Sequence, residues 1–232
     1  MIEQNKPVVW RVIVQMVIVV LIAPFIPMII SGHWDWPQAW AYAVASILAF
    51  VISRLIVARI NPDLIAERAR FMQAKDTKPW DKILAPLLGL GSILILVAAG
   101  LDRTYGWSVP FSTVVNIIAL IGIVTGYGFS SWALIENRFF SGTVRIQTER
   151  GHHVVFTGPY RMIRHPGYSG GLLGFVFIPL LLDSIWAFIP AILLVVVMVT
   201  RTALEDKTLQ AELPGYKEYA EHVRYRLIPG IW

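Results

Sequence analysis

Two stretches of this 232-residue sequence concentrate the side chains that could do chemistry. The first runs Thr157-Gly158-Pro159-Tyr160-Arg161-Met162-Ile163-Arg164-His165-Pro166-Gly167-Tyr168-Ser169-Gly170-Gly171. Its Gly-Pro and His-Pro pairs restrict the backbone, and its glycines permit close approach of a ligand. Its tyrosines, arginines and histidine offer aromatic faces and hydrogen-bond donors. The same composition would also serve as Gly/Pro punctuation at a helix start with interfacial Tyr and Arg. The second stretch contains Arg201-Thr202-Ala203-Leu204-Glu205-Asp206-Lys207-Thr208-Leu209, then Tyr216, Tyr219 and Tyr225-Arg226-Leu227-Ile228-Pro229. Arg201 and Glu205 are four apart and share a helix face, where an exposed ion pair is the bland account. Glu205 directly follows a continuous apolar helix, where an acidic side chain is seldom incidental.

The elements that must position these stretches are apolar. Hydrophobic residues make up 56% of the chain and charged residues only 15%, against about 25% charged in soluble domains; the mean hydropathy is +0.62. A polytopic, all-α membrane helical bundle with about six apolar segments follows. The spans are expected at Val8 to Ile30, Pro37 to Ile60, Ile83 to Leu101 and Val109 to Ile135. Gly170 to Leu182 is too short for an ordinary span; Asp183-Ser184 interrupts the run, and Ile185 to Thr200 completes a second arm, which reads as a helical hairpin. Residues 61–82 form a polar loop in which Asn61-Pro62-Asp63 stops one helix and starts a short surface helix. The alternation in Thr143-Val144-Arg145-Ile146-Gln147 predicts an extended segment on the bilayer surface. The first span is retained, since it lacks the flanks of a removable signal peptide. Two regions result: residues 1–136 with spans one to four, and residues 137–232 with the motif loop, the hairpin over 170–200 and the C-terminal polar segment.

Cysteine is absent, which excludes disulfides, thiolate metal sites and a cysteine nucleophile. His152 and His153 are adjacent and lack a ligand-spaced partner, so no metal site is expected, and no nucleic-acid partner either. Of the 20 Lys and Arg residues behind the net charge of +5, all but Arg103 fall on one side if six segments cross. The positive-inside rule then places both termini and both motif stretches in the cytoplasm. A hairpin leaving and returning to that face would hold the two stretches side by side.

The order Gly-Pro-Tyr, Arg-His-Pro-x-Tyr-x-Gly, hairpin, Arg-x-x-x-Glu-Asp-x-x-Leu, Tyr-x-x-Tyr and Arg-Leu-Ile-Pro resembles the isoprenylcysteine carboxyl methyltransferase family and its phospholipid methyltransferase relatives. The motifs span Gly158 to Pro229; Asp206 departs from the pattern, standing where the family usually has a second Glu. The resemblance implies S-adenosylmethionine as cofactor, in a cytoplasmic pocket built from Gly158, Pro159, Tyr160, His165, Pro166 and Tyr168 and from Glu205, Asp206 and Leu209. In that reading Glu205 accepts from the ribose diol or the ammonium, His165 meets the methionine tail, and Tyr160, Tyr168 and Leu209 form walls. Arg164, Arg201 or Arg226 would orient a carboxylate acceptor; for an amine acceptor, Glu205 would act as base. The implied acceptor is a lipophilic small molecule, a prenylated substrate or a membrane lipid, with carboxylate, amine and thiol all open. A sterol-type reductase using a nicotinamide cofactor shares the His-Pro-x-Tyr element but usually has Asn where this chain has Gly167. A transporter would need intramembrane charges or paired broken helices, and neither these nor an internal repeat stands out.

Overall fold

A computed structural model describes residues 20–70 and 76–232. The first half of the span expected from Val8, together with Lys6, Arg11 and Lys75, lies outside the described residues. The described part of that span is α1, Val20–Ser31. Pro24 and Pro27 tighten it into a 3-10 stretch at Ala23–Phe25, and Gly32 ends it in a left-handed conformation.

Among the described residues, four helices are long and apolar enough to cross a bilayer: α2 (Pro37–Ile60), α4 (Asp81–Tyr105), α5 (Thr113–Glu136) and α7 (Phe188–Glu212). At 24 or 25 residues each, they measure about 36 Å against a hydrocarbon core of about 30 Å. Pro37 opens α2 at the first helical position, where its missing N–H costs nothing. Ser112 caps α5 by accepting from the Val115 N–H. Outward-facing apolar side chains such as Leu90 (68% exposed), Ile121 (61%) and Leu193 (62%) form the surface a bilayer would cover. The short surface helix α3, Pro62–Arg70, buries Leu64 against Val57 and Leu134. No β-strand occurs among the described residues. The protein is thus a helical integral membrane protein.

The expected hairpin is present and asymmetric. Its first arm, α6 (Pro166–Leu181), has 16 residues, about 24 Å, which is shorter than a full span; its second arm is α7. The turn between them is tied down by polar groups. Asp183, in the left-handed region with φ 54°, accepts from Phe111 N and Asn116 Nδ2, both at 2.9 Å, and from Gln38 Nε2 at 3.2 Å. Ser184 Oγ donates to the buried Asp102 at 2.5 Å. Because α7 outruns α6, its last two turns pass beyond the start of α6, which lies level with Glu205 and Asp206. The helix α8 (Tyr216–His222) then folds back after Pro214-Gly215.

Helix α6 sits against α5 through a backbone contact. A Cβ placed on Gly126 would lie 2.6 Å from the Gly170 carbonyl oxygen, and one on Gly170 would run into Gly126 O and Ser130 Oγ. Ser130 Oγ donates to Gly167 O at 2.9 Å across the same interface. Small residues at this crossing set the height of the motif loop on the bundle.

The 143–147 segment differs from its expectation. Thr143, Val144, Arg145 and Gln147 are buried and form no strand. The segment is wedged between loops: Val144 N donates to Asp81 Oδ2 at 2.6 Å and Lys78 N to Val144 O at 3.0 Å. Arg145 gathers Glu67, Asp76 and Glu149 within 2.9 Å. The alternation therefore reflects two packed sides, with Ile146 turned toward Leu213, Tyr216 and Tyr219.

Candidate active site

Asp206 is the hub that joins the two motif stretches. It is fully buried on α7. Arg164 donates to it from Nε at 2.7 Å and from Nη2 at 3.0 Å. Arg226 Nε approaches at 2.9 Å, Gln210 Nε2 at 2.8 Å, Tyr216 Oη at 3.2 Å and His165 Nε2 at 3.3 Å. A buried carboxylate needs this many donors to offset its lost hydration. The backbone repeats the join: Arg164 N donates to Tyr225 O and His165 N to Arg226 O, both at 2.9 Å. Arg164 Nη1 reaches the carbonyls of Val223 (2.6 Å) and Arg224 (2.9 Å), satisfying the C-terminal end of α8. Burial opposes the charge on Arg164, but its hydrogen bonds and charge attraction to Asp206 hold its pKa above the ordinary value.

Above this hub lies a cleft enclosing about 790 Å3, mouth included. Its floor is Gly167, His165, Tyr168 and Glu205; its walls come from Leu209 and Leu213 of α7, Tyr216 and Tyr219 of α8, Tyr160, and the 137–155 segment. The Tyr168 hydroxyl donates to Glu205 Oε2 at 2.5 Å. The rings of His165 and Tyr168 lie parallel at 5.8 Å. Tyr219 Oη donates to Tyr160 O at 2.7 Å, bracing one wall. Burial pushes the phenols of Tyr160, Tyr216 and Tyr219 above their ordinary pKa, so they serve as neutral hydrogen-bonding and stacking groups. Gln147 N donates to His152 Nδ1 at 3.2 Å. Burial first, then the charges of His153, Arg145 and Arg150, push His152 down to about 4.

Of the residues singled out from sequence, Tyr160, Arg164, His165, Tyr168, Glu205 and Leu209 line this one cleft. Gly158, Pro159 and Pro166 shape the backbone behind it. Pro159 lies in the 3-10 turn Gly158–Arg161 that delivers Tyr160, and Gly158 packs on Glu136, whose carboxylate accepts from Thr157 Oγ1. Asp206 sits beneath the floor. Arg226 rests on Asp206 and over the Trp232 ring. Arg201 makes no ion pair with Glu205: its Nε and Nη2 hold the buried Asp81 at 2.6 and 3.0 Å, and its guanidinium lies over the Tyr168 ring at 5.1 Å. The shared helix face is real, but Asp81 offers Arg201 two oxygens in a dry setting, whereas Glu205 is taken by Tyr168.

Sequence reasoning missed Asn137, Phe139, Gln147 and His152, which supply one whole wall. The polar stretch and the histidine pair were visible, but the fold-back that brings them over α7 depends on Asp81, more than fifty residues before the stretch begins.

A second cavity, about 1330 Å3 with its openings, lies among α1, α2, α4 and α5. Its lining includes Ser46, Phe50, Ser53, Arg54, Arg68, Tyr127 and Arg201. Phe140, Ser141, Gly167 and Tyr168 line both spaces, so the cleft and the helix cavity are separated by a wall of four residues. Gly167 keeps that wall thin, since a Cβ there would lie 2.5 Å from the Phe140 ring.

Comparison with known proteins agrees with the motifs. A family model described as phospholipid methyltransferase matches residues 114–213, from the start of α5 through the hairpin and the whole of α7. Two curated relatives, each named "Probable protein-S-isoprenylcysteine O-methyltransferase", from Oryza sativa subsp. indica and subsp. japonica, are 35% identical over 60 residues. Those residues are 25% of this chain, and the match spans 31% of each relative's length. The segment that carries the Asp206 hub and most of the cleft floor thus lies within the part of the chain that is similar to the phospholipid methyltransferase family.

Proposed function

We propose that this protein is an S-adenosylmethionine-dependent membrane methyltransferase of the isoprenylcysteine carboxyl O-methyltransferase type, acting on a lipophilic acceptor at the cytoplasmic membrane face. The observation that carries the reading is the thin shared wall. A polar, aromatic cleft abuts, at Gly167 and Tyr168, a cavity that runs among the membrane helices. A water-soluble donor and a lipid-soluble acceptor need this kind of meeting place. The excess of Lys and Arg on the motif side supports the cytoplasmic orientation.

The donor set fits the cofactor. Glu205 offers a carboxylate to a hydroxyl pair or an ammonium, His165 and Asn137 offer polar contacts, and Phe139, Tyr160, Tyr216 and Leu209 offer flat and apolar walls. When bound, S-adenosylmethionine supplies a methyl group activated by its sulfonium. The chain's own task is positioning and exclusion of water. Tyr168 and Glu205 fix the cleft floor. Arg201, locked by Asp81, presents a cation at the shared wall, where a carboxylate oxygen would be oriented as the attacking atom. A carboxylate acceptor needs no proton removed. An amine acceptor, as the family description would allow, is the second reading, with Glu205 as base once Tyr168 releases it.

Methyl transfer from labelled S-adenosylmethionine to a panel of carboxylate, amine and thiol lipids tests the reading. Label in the carboxylate lipid supports it. Saturable binding of reduced nicotinamide cofactor with none of S-adenosylmethionine would overturn it in favour of a reductase.

A further inference from the structure

The helix cavity holds more positive charge than the fold uses. Arg54, on the last turns of α2, and Arg68, on α3, both line it, and Arg201 completes the group from α7. Among the described residues, only Arg201 of the three has a carboxylate partner, Asp81. The polar contacts of Arg54 and Arg68 are otherwise weak or incomplete among the described residues. Arg54 Nη1 reaches Ser53 Oγ at 3.4 Å and its guanidinium lies 4.7 Å over the Phe50 ring. Arg68 Nη1 donates to Phe140 O at 3.1 Å, while its buried Nε has no hydrogen-bond partner. The acids of α3 are occupied elsewhere, Glu67 by Arg145 and Asp63 by Arg138. Burial, and then the neighbouring charge of Arg54, push Arg68 down to about 10, so it stays charged at neutral pH, with no carboxylate in ion-pair distance among the described residues. Unpaired cations in a low-dielectric cavity are costly and call for an anion. The remaining lining mixes apolar side chains, among them Val20, Ala49, Ile93 and Leu134, with hydroxyl groups such as those of Ser46, Ser92 and Ser131.

We infer that Arg54 and Arg68 form a binding site for the anionic head of a single-chain amphiphile, carboxylate or phosphate, whose apolar tail lies between the helices. The site adjoins the shared wall through Phe140, which Arg68 grips by its carbonyl and its ring. An anion held there is delivered toward Tyr168. The inference rests on the methyltransferase reading for the amphiphile's role as acceptor, and it adds two arginines and a charge preference to it. An amine head would meet three guanidinium groups and be repelled.

Binding to the full-length protein in a neutral detergent tests this, using palmitate, hexadecyl phosphate and hexadecylamine as probes beside S-adenosylmethionine. The account expects palmitate or hexadecyl phosphate to bind saturably and about tenfold more tightly than hexadecylamine. Arg54→Gln/Arg68→Gln should weaken the anion about tenfold or more, with Arg54→Lys/Arg68→Lys recovering part of the loss as a control for folding. Stronger binding of palmitate identifies a carboxylate head, and stronger binding of hexadecyl phosphate a phosphate head. Equal binding of amine and anions, or unchanged anion affinity in the Gln variant, would overturn the site. S-adenosylmethionine affinity should stay within about twofold in both variants; its loss in the wild-type protein would instead count against the methyltransferase reading, whatever the amphiphiles do.

Discussion

Arg164 and Asp206 lie forty-two positions apart and meet through two parallel hydrogen bonds of 2.7 and 3.0 Å, with the carboxylate fully buried. This fork is the mechanical centre of the cleft: Arg164 belongs to the motif loop, Asp206 to the long arm of the hairpin, and the third nitrogen of the same guanidinium closes the end of α8. Asp206→Ala would leave Arg164 buried and unpaired and His165 and Arg226 without their anchor. A loss of about 3–5 kcal/mol is expected, read as a lowered thermal midpoint in detergent, and Asp206→Asn should lose less. An unchanged midpoint would remove Asp206 from this role.

The Arg201–Asp81 pair makes the same connection from the other side, joining α7 to the start of α4 with Nε 2.6 Å from the carboxylate. Asp81 also accepts from Val144 N. A double-mutant cycle of Asp81→Ala and Arg201→Met should show a coupling of about 1–3 kcal/mol, the double variant being more stable than the sum of the singles implies. Additive effects would mean that the pair is incidental.

Gly170→Ala places a methyl against the Gly126 carbonyl and Ser130, and overpacking of this kind costs about 1–3 kcal/mol. Gly128→Ala, on the same helix as Gly126 but with open space around its Cβ position, should be neutral or slightly stabilising. Thermal unfolding of the two variants side by side separates a packing requirement from a general intolerance of alanine.

How much of this was legible in the sequence depends on the range of the interaction. The spans were, since apolar runs report their own length: α2 falls at Pro37–Ile60 as expected, and the hairpin turns at Asp183-Ser184. The motif stretches were legible as chemistry because unusual residue types cluster there, and six of the residues taken from them line the cleft. The partners of buried charges were not. Asp81 reads as one more loop acid, yet it orders Arg201 and Val144 from well over fifty positions away. Local spacing paired Arg201 with Glu205, but burial chose Asp81, because a dry site rewards a two-oxygen acceptor over a half-buried helix neighbour already bonded to Tyr168. Arg54 and Arg68 looked like orientation charges at helix ends, and only the cavity between helices distinguishes them from such charges.

His152 gives a pH signature. Its ring nitrogen accepts from Gln147 N, which requires the neutral form, and its pKa is pushed down to about 4 from an ordinary value near 6.5. Above about pH 6.5 the residue is neutral folded or unfolded and contributes no pH dependence. As pH falls from 6.5 toward 4, the unfolded chain takes up a proton that the folded one refuses, so stability declines across that window. His152→Gln should flatten this part of the profile, measured as thermal midpoint against pH. An identical slope in the variant would assign it to other groups.

The central claim is that the cleft floored by Tyr168 and Glu205 holds S-adenosylmethionine, and titration calorimetry with the cofactor tests it most directly. The account predicts saturable binding to the wild-type protein, a loss of about tenfold or more in Glu205→Ala and in His165→Ala, and no change in Arg103→Ala, whose side chain lies over Trp36 at the other end of the bundle. Full cofactor affinity in Glu205→Ala would contradict it.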